Sequence, residues 1–258
     1  MKLFLKYFSM QLKTKLEYKV SFILMLISQM FTVLLEAVTI FFLFERFGLL
    51  KEFDFYTVML IFSVIYFGYS LSDLFIRGFD QFHKFIIKGE FDILLIRPRN
   101  IHLQILGTDF AIERTSRLIL PIITITIAIT NGSIDYNLIK TLVLLLMILG
   151  SFLLFASVSI ISAAFTFKSI EGLEIINIFQ HGTRQFGQYP IEIFPKFIFY
   201  LFTFLVPLTT INYFPLIYIM GTSNNILNAL APLYTIIFLL FALFLFYKGT
   251  KNYQSTGS

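Results

Sequence analysis

Residues Ile139–Phe167 read IKTLVLLLMILGSFLLFASVSIISAAFTF. Lys140 is the one charge in the run. A membrane-crossing helix needs about 20 apolar residues to cover roughly 30 Å of hydrocarbon at 1.5 Å per residue. This stretch exceeds that length without a break. The strands of a membrane barrel alternate apolar and polar residues in short segments, and nothing here alternates. The stretch is therefore expected to be a spanning α-helix.

Working outward, similar runs occupy about Val20–Phe44, Tyr56–Leu74 and Ala231–Tyr247, with a shorter apolar core at Leu118–Ile129. Over all 258 residues, 57% are hydrophobic and 14% charged, and mean hydropathy is +0.83. A soluble domain carries about 25% charged residues, so a soluble globular enzyme is excluded. There is no cysteine, which removes disulfides, thiolate metal sites and cysteine nucleophiles. The excess of +5 suits loops facing anionic lipid rather than nucleic acid.

Met1–Lys19 does not read as a signal peptide, because its lysines interrupt it and no small-residue cleavage site follows. Phe4, Phe8, Leu12 and Leu16 recur every four residues, as in an amphipathic helix lying on a membrane surface. With the N-terminus in the cytoplasm, inner segments hold fifteen of the 20 Lys and Arg residues. About six spans then return the C-terminus to the same side. Ser255–Ser258 reads as a flexible tail or a cloning remnant.

Between the second and third spans, Leu74–Asn100 reads LFIRGFDQFHKFIIKGEFDILLIRPRN. Basic and acidic residues alternate with Phe79, Phe82, Phe85, Ile86, Phe91, Leu94 and Leu95. The pattern predicts two short amphipathic helices, broken at Gly89 and stopped at Pro98. Glu90 and Asp92 are placed to cap the second one. A further helix is expected from near Ile101 into the third span, with Glu113 pairing Arg117 at i, i+4, Arg117 snorkelling inward and Pro121 kinking the span. Such a segment needs cover for its apolar face, from lipid headgroups or from a docked protein.

Gly89-Glu90-Phe91-Asp92-Ile93-Leu94-Leu95-Ile96-Arg97-Pro98 resembles the G-x-[L/F]-D-x-L-L-x-R-P signature of a subgroup of ABC-2 type transporter permeases. Tyr189-Pro190, Val206-Pro207-Leu208 and Tyr213-Phe214-Pro215 look like that family's landmarks before the last span. The resemblance implies an all-α integral membrane protein of about six transmembrane helices. It implies an N-terminal interfacial helix, a cytoplasmic coupling helix and outer re-entrant half-helices. It also implies a bacterial plasma-membrane location and a dimer of permeases, alike or homologous, bound to two copies of a separate ABC ATPase. Gly89, Glu90, Phe91, Asp92, Leu94, Leu95, Arg97 and Pro98 would then form the ATPase-coupling element. ATP and Mg would sit on the partner.

The residues alone agree on one point. No G-x-x-x-x-G-K-[ST] phosphate loop occurs, so residues 1–258 read as a single permease domain without a nucleotide-binding domain or cofactor.

Two polar stripes lie in apolar surroundings. Ser28, Gln29, Thr32, Glu36 and Thr39 share one face of the first span. Glu174, Asn177, His181, Arg184 and Gln188 share one face of Lys168–Gln188, which hydropathy rejects as a span. Either that helix spans and Tyr189–Gly221 forms outer half-helices broken at Pro195, Pro207 and Pro215, or it lies on the inner surface and Phe194–Met220 spans. The resemblance favours the first. Glu36 and Arg184 then both sit about 16 residues, roughly 24 Å, above the inner surface and are expected to meet, within one subunit or across the dimer. Ser28, Thr32, Glu36, Glu174, Asn177, His181 and Arg184 would line a pathway or dimer seam. Pro190, Pro195, Pro207 and Pro215 would shape an outer gate. His83 and His102 read as solvated loop residues. No histidines have metal-ligand spacing, so no metal is expected.

Three functions follow in order. The first is the permease of an ABC exporter for an amphipathic or hydrophobic cargo such as a lipid, drug or antimicrobial peptide. The second is a proton-coupled carrier, which needs acidic residues in the spans and has nearly only Glu36. The third is an intramembrane enzyme, for which no nucleophile and base are visible.

Overall fold

The computed structural model describes residues 2–168 and 173–254, and the side chains of 2–3 and 173–177 lie outside that description. Among the described residues the regular structure is helical, with one isolated bridge between Leu50 and Phe53. α1 is Lys2–Glu17, α2 Lys19–Phe47, α3 Phe55–Phe75 and α9 Leu138–Thr166. Short helices α4 (Arg77–Asp80), α5 (Phe82–Ile87), α6 (Phe91–Ile96) and α7 (Ile101–Leu106) fill the segment after α3. A 3₁₀ turn, Ile112–Leu118, leads into α8 (Ile119–Asn131). α10 is Leu173–Gly187, followed by α11 (Lys196–Phe204), α12 (Thr209–Asn212), α13 (Phe214–Ile219), α14 (Ile226–Leu230) and α15 (Tyr234–Lys251).

The ends of the long helices follow from local chemistry. The Asp54 carboxylate accepts from Thr57 N at 3.0 Å to start α3, and Asn137 Oδ1 accepts from Lys140 N at 2.8 Å to start α9. Gly48, at φ 74° and ψ −72°, ends α2 in a γ-turn closed by Leu49 N donating to the Phe47 carbonyl at 3.0 Å.

Among the described residues, four helices are long and apolar enough to cross a membrane: Lys19–Phe47, Phe55–Phe75, Leu138–Thr166 and Ile226–Lys251, the last being α14 continued through a 3₁₀ turn into α15. α11 with α12–α13 would make a fifth, but the pair is bent by 95°. α8 has only 13 residues. It continues a 7-residue 3₁₀ turn, and both lie along α3. Because 3₁₀ geometry rises about 2.0 Å per residue, turn and helix together reach roughly 33 Å. The expected continuous helix from Ile101 is thus replaced by α7, a break at Gly107–Ala111, and the 3₁₀ turn. The change of geometry comes at Ile119, ahead of Pro121.

α9 is the central helix, packed along α3 on one side and α15 on the other. In lipid, close packing replaces the hydrophobic drive, so small residues decide which helices approach. Gly68 on α3 is one such point. A Cβ there would lie 2.4 Å from Ser151 Cβ and 2.6 Å from Phe152 N.

From Gln180 to its end, α10 runs antiparallel to α3. Gln180 Nε2 lies 3.4 Å from Asp80 Oδ1, Arg184 sits against Tyr66 and Tyr69, and Gly187 faces Ile65. Just past its end, Lys51 Nζ donates to the Glu192 carbonyl at 2.5 Å. The chain then folds back. Asn212, fully buried, donates to the carbonyls of Gly187 (2.6 Å) and Tyr189 (2.8 Å) and accepts from Ile191 N (3.2 Å). The prolines open the short pieces: Pro190 precedes a 3₁₀ turn at Ile191–Ile193, Pro195 caps α11, Pro207 leads into α12, and Pro215 lies in the first turn of α13. The 95° bend between α11 and α12–α13 is compatible with a re-entrant loop and with a broken span, the two arrangements expected from the sequence, and the backbone carbonyls at Gly187 and Tyr189 are taken up by Asn212.

Candidate functional site

Three groups of residues stand out. The first is the excursion between α3 and the 3₁₀ turn. Gly89, at φ 66°, makes the break between α5 and α6 that the sequence predicts, and Pro98 follows α6. Phe91 and Leu94 point inward, where Phe82, Phe167, Phe246 and Tyr253 pack around them. Ile93, Leu95 and Ile96 point outward, Ile96 with 81% of its surface exposed, beside exposed Arg97, Pro98 and Arg99. The Glu90 side chain makes no capping hydrogen bond, because its backbone is already helical and cannot turn the carboxylate onto the first amides. Asp92 faces the Tyr253 hydroxyl, whose proton is held more tightly by burial and by that carboxylate.

His102 is not a solvated loop residue. Its ring packs against those of Phe79 (6.2 Å) and Phe246 (5.4 Å), and burial pushes its pKa down. His83 Nδ1 lies 3.2 Å from the Asp80 carbonyl.

The second group is a cluster of charges at the base of that excursion. Asp73, its side chain 1% exposed, receives Arg114, Arg117 at 3.2 Å and Arg77 at 3.6 Å. Arg77 also reaches Asp109 (3.8 Å) and Asp80 (4.0 Å). Burial raises the pKa of Asp80, opposed by Ser159, Arg77 and Gln180. The expected Glu113–Arg117 pair does not form, because a 3₁₀ turn does not place i and i+4 on one face. Glu113 binds Lys15 instead, and Arg117 also lies over the Tyr69 ring. Sequence reading missed Asp73 as the hub. Its signal was a carboxylate in the last turn of an apolar span, with Arg77 four residues on as its one local counter-charge.

The third group is polar and lies midway along the bundle. Arg184 Nη1 donates to Glu36 Oε1 at 3.0 Å and to Tyr66 Oη at 2.5 Å, and Gln188 Nε2 donates to Glu36 Oε2 at 2.6 Å. The guanidinium lies 5.4 Å from the centre of the Tyr66 ring and 5.3 Å from that of Tyr69. Glu36 and Arg184 therefore meet within one chain, as depth counting suggested. Ser28, Thr32 and Thr39 do not join them. They are exposed, and the hydroxyls of Thr32 and Thr39 bond back to their own helix. His181 is exposed. Glu174 and Asn177 fall among the side chains outside the description. Among the described residues, no group of three or more His, Cys, Asp or Glu is arranged to hold a metal ion.

α1 docks on protein rather than on lipid alone. Phe4 and Phe8 stack edge-on against Phe110, and Gln11 donates to the carbonyls of Gly107 and Thr108 and accepts from Phe110 N.

A family model described as ABC-2 family transporter protein matches residues 30–257. No curated protein matches the chain. The match covers most of the sequence, so the chain belongs to the ABC-2 transporter family.

Proposed function

From that membership we propose that this chain, a multi-pass membrane permease of an ABC transporter, is the transmembrane subunit of an exporter. It moves an amphipathic or hydrophobic substrate out of the cytoplasm of a bacterial cell. Permeases of the family work with ABC ATPase partners, so nucleotide belongs to another chain and this one is not itself catalytic. On this reading two ATPase copies serve a pair of permeases, alike or homologous. Both termini face the cytoplasm, and residues 1–258 act as one permease domain.

The observation that carries the reading is the outward face of α6. Ile93, Leu95 and Ile96 are exposed on a segment whose other face is buried in the protein's own core. An apolar patch rimmed by Arg97 and Arg99 suits a protein groove with an acidic rim better than water. The gain on docking is burial of those three side chains, about 1.5–3 kcal/mol each when fully covered. The Glu36–Arg184 centre supports a pathway or seam beside it, and the re-entrant prolines support a gate at the Glu192 end.

Co-purification of the permease with its ABC ATPase is the test. Ile96→Asp is expected to reduce ATPase recovery at least tenfold, with the permease still extracted as a folded protein. Unchanged recovery would overturn the assignment of α6.

A further inference from the structure

The excursion that carries α4 to α7 leaves α3 at Ile76 and returns at Ala111. Both of its feet end at one carboxylate. Arg77, on the outgoing foot, lies 3.6 Å from Asp73 Oδ1, and Arg117, beyond the return foot, lies 3.2 Å from Asp73 Oδ2, which also receives Arg114. Arg77 spans the gap again through Asp109 at 3.8 Å. The loop between the feet is closed on itself. Gln104 Nε2 donates to the carbonyls of Leu94 (3.1 Å) and Arg99 (3.2 Å). At Gly78 a Cβ would lie 1.9 Å from the Ile105 carbonyl oxygen, so α4 and the end of α7 touch backbone to backbone.

A push on α6 therefore has few soft joints to dissipate in. It arrives at Asp73 from two sides. Asp73 belongs to α3, and the arginines stand on the 3₁₀ turn that continues into α8. Three guanidinium groups around one buried carboxylate also make the joint stiff, because separating any of them strands charge away from water.

We propose that Asp73 is the positioning residue that links the ATPase-docking face to α3 and α8, so that both helices move with α6 as one body. This rests on the reading of α6 given above. Asp73 touches neither substrate nor nucleotide in this role; it acts through Arg77, Arg114 and Arg117.

The test uses the permease with its ATPase in lipid nanodiscs. The chain has no cysteine, so nitroxides can be placed singly. One goes at exposed Lys84→Cys on the excursion, and a pair goes at Asp135→Cys and Glu192→Cys at the opposite end. The pair is diluted with unlabelled chain so that only distances within a chain count. ATP with vanadate is expected to change the mobility at Lys84 and to shift the Asp135–Glu192 distance. In Asp73→Asn the Lys84 response should persist, the distance shift should disappear, and Asp73→Glu should restore at least half of it. A full distance shift in Asp73→Asn overturns the linkage alone. No Lys84 response in the unsubstituted chain overturns the docking face and the linkage with it. If Asp73→Asn does not accumulate, Asp109→Asn, whose side chain is 44% exposed, serves instead. It should at least halve the shift, and a full shift would count against the linkage equally.

Discussion

α2 and α9 are both 29 residues long, and both are strongly apolar, with mean hydropathy of 2.0 and 2.6 over their best windows. Yet 61% of that window is buried in α9 and only 11% in α2. Apolar content does not explain the difference. α9 presents Gly150, Ser151, Ser157, Ser159 and Ser162 to its neighbours, all buried, and their small size lets other helices close on it. α2 buries only Val33, Ala37, Ile40 and Phe44, and it leaves Leu24, Ile27, Phe31 and Leu35 exposed. A lipid-facing helix can be as apolar as a core helix; contact area follows shape. α2 is fastened to the bundle by polar groups: Glu36 to α10, and Ser116 Oγ to the Leu26 carbonyl at 2.8 Å.

The largest expected effect tests that fastening. Arg184→Ala leaves Glu36 without its counter-charge and should cost about 3 kcal/mol, the low end for a broken buried pair because the Glu36 side chain is 22% exposed. Unfolding in mixed micelles measures it, and a loss under about 1 kcal/mol would show that α2 is held by apolar packing after all. Reversing the pair, Glu36→Arg with Arg184→Glu, should recover part of the loss relative to either single change.

Next in size is Gly68→Val, which forces α3 away from Ser151 on α9 and should cost about 2 kcal/mol. Leu35→Ala on the exposed face of α2 should stay within about 0.5 kcal/mol in the same assay. If the two changes cost alike, shape is not what separates the helices. Smallest is Thr32→Leu, which should leave folding within about 0.5 kcal/mol because the hydroxyl only bonds to its own helix. A dimer seam on this face would show as an altered dimer fraction by cross-linking. An unchanged fraction would leave the face to lipid.

Much of the bundle was legible. Hydropathy placed α2, α3 and α9 within about three residues of their observed ends, because an unbroken apolar run has few other solutions in lipid. Depth counting brought Glu36 and Arg184 together because helical rise is fixed. The local rules failed between Ile101 and Leu118. There an i, i+4 pairing was expected, and the backbone adopted a 3₁₀ turn that hands Arg117 to Asp73 and Glu113 to Lys15. Asn212 was likewise invisible as a clamp, since its partners are backbone groups at Gly187, Tyr189 and Ile191.

By itself the sequence determined that the chain is a helical membrane protein, where most of its long helices run, and that one short helix between α3 and α8 is punctuated by Gly89 and Pro98. Those properties depend on transfer to lipid and on backbone dihedrals, which each segment carries locally. Only the tertiary structure decided which face of α6 is left open, which arginines converge on Asp73, and which polar groups tie α2 to α10 and to the 3₁₀ turn. These depend on which groups far apart in the chain come within a few ångströms, and packing of the whole bundle sets that distance.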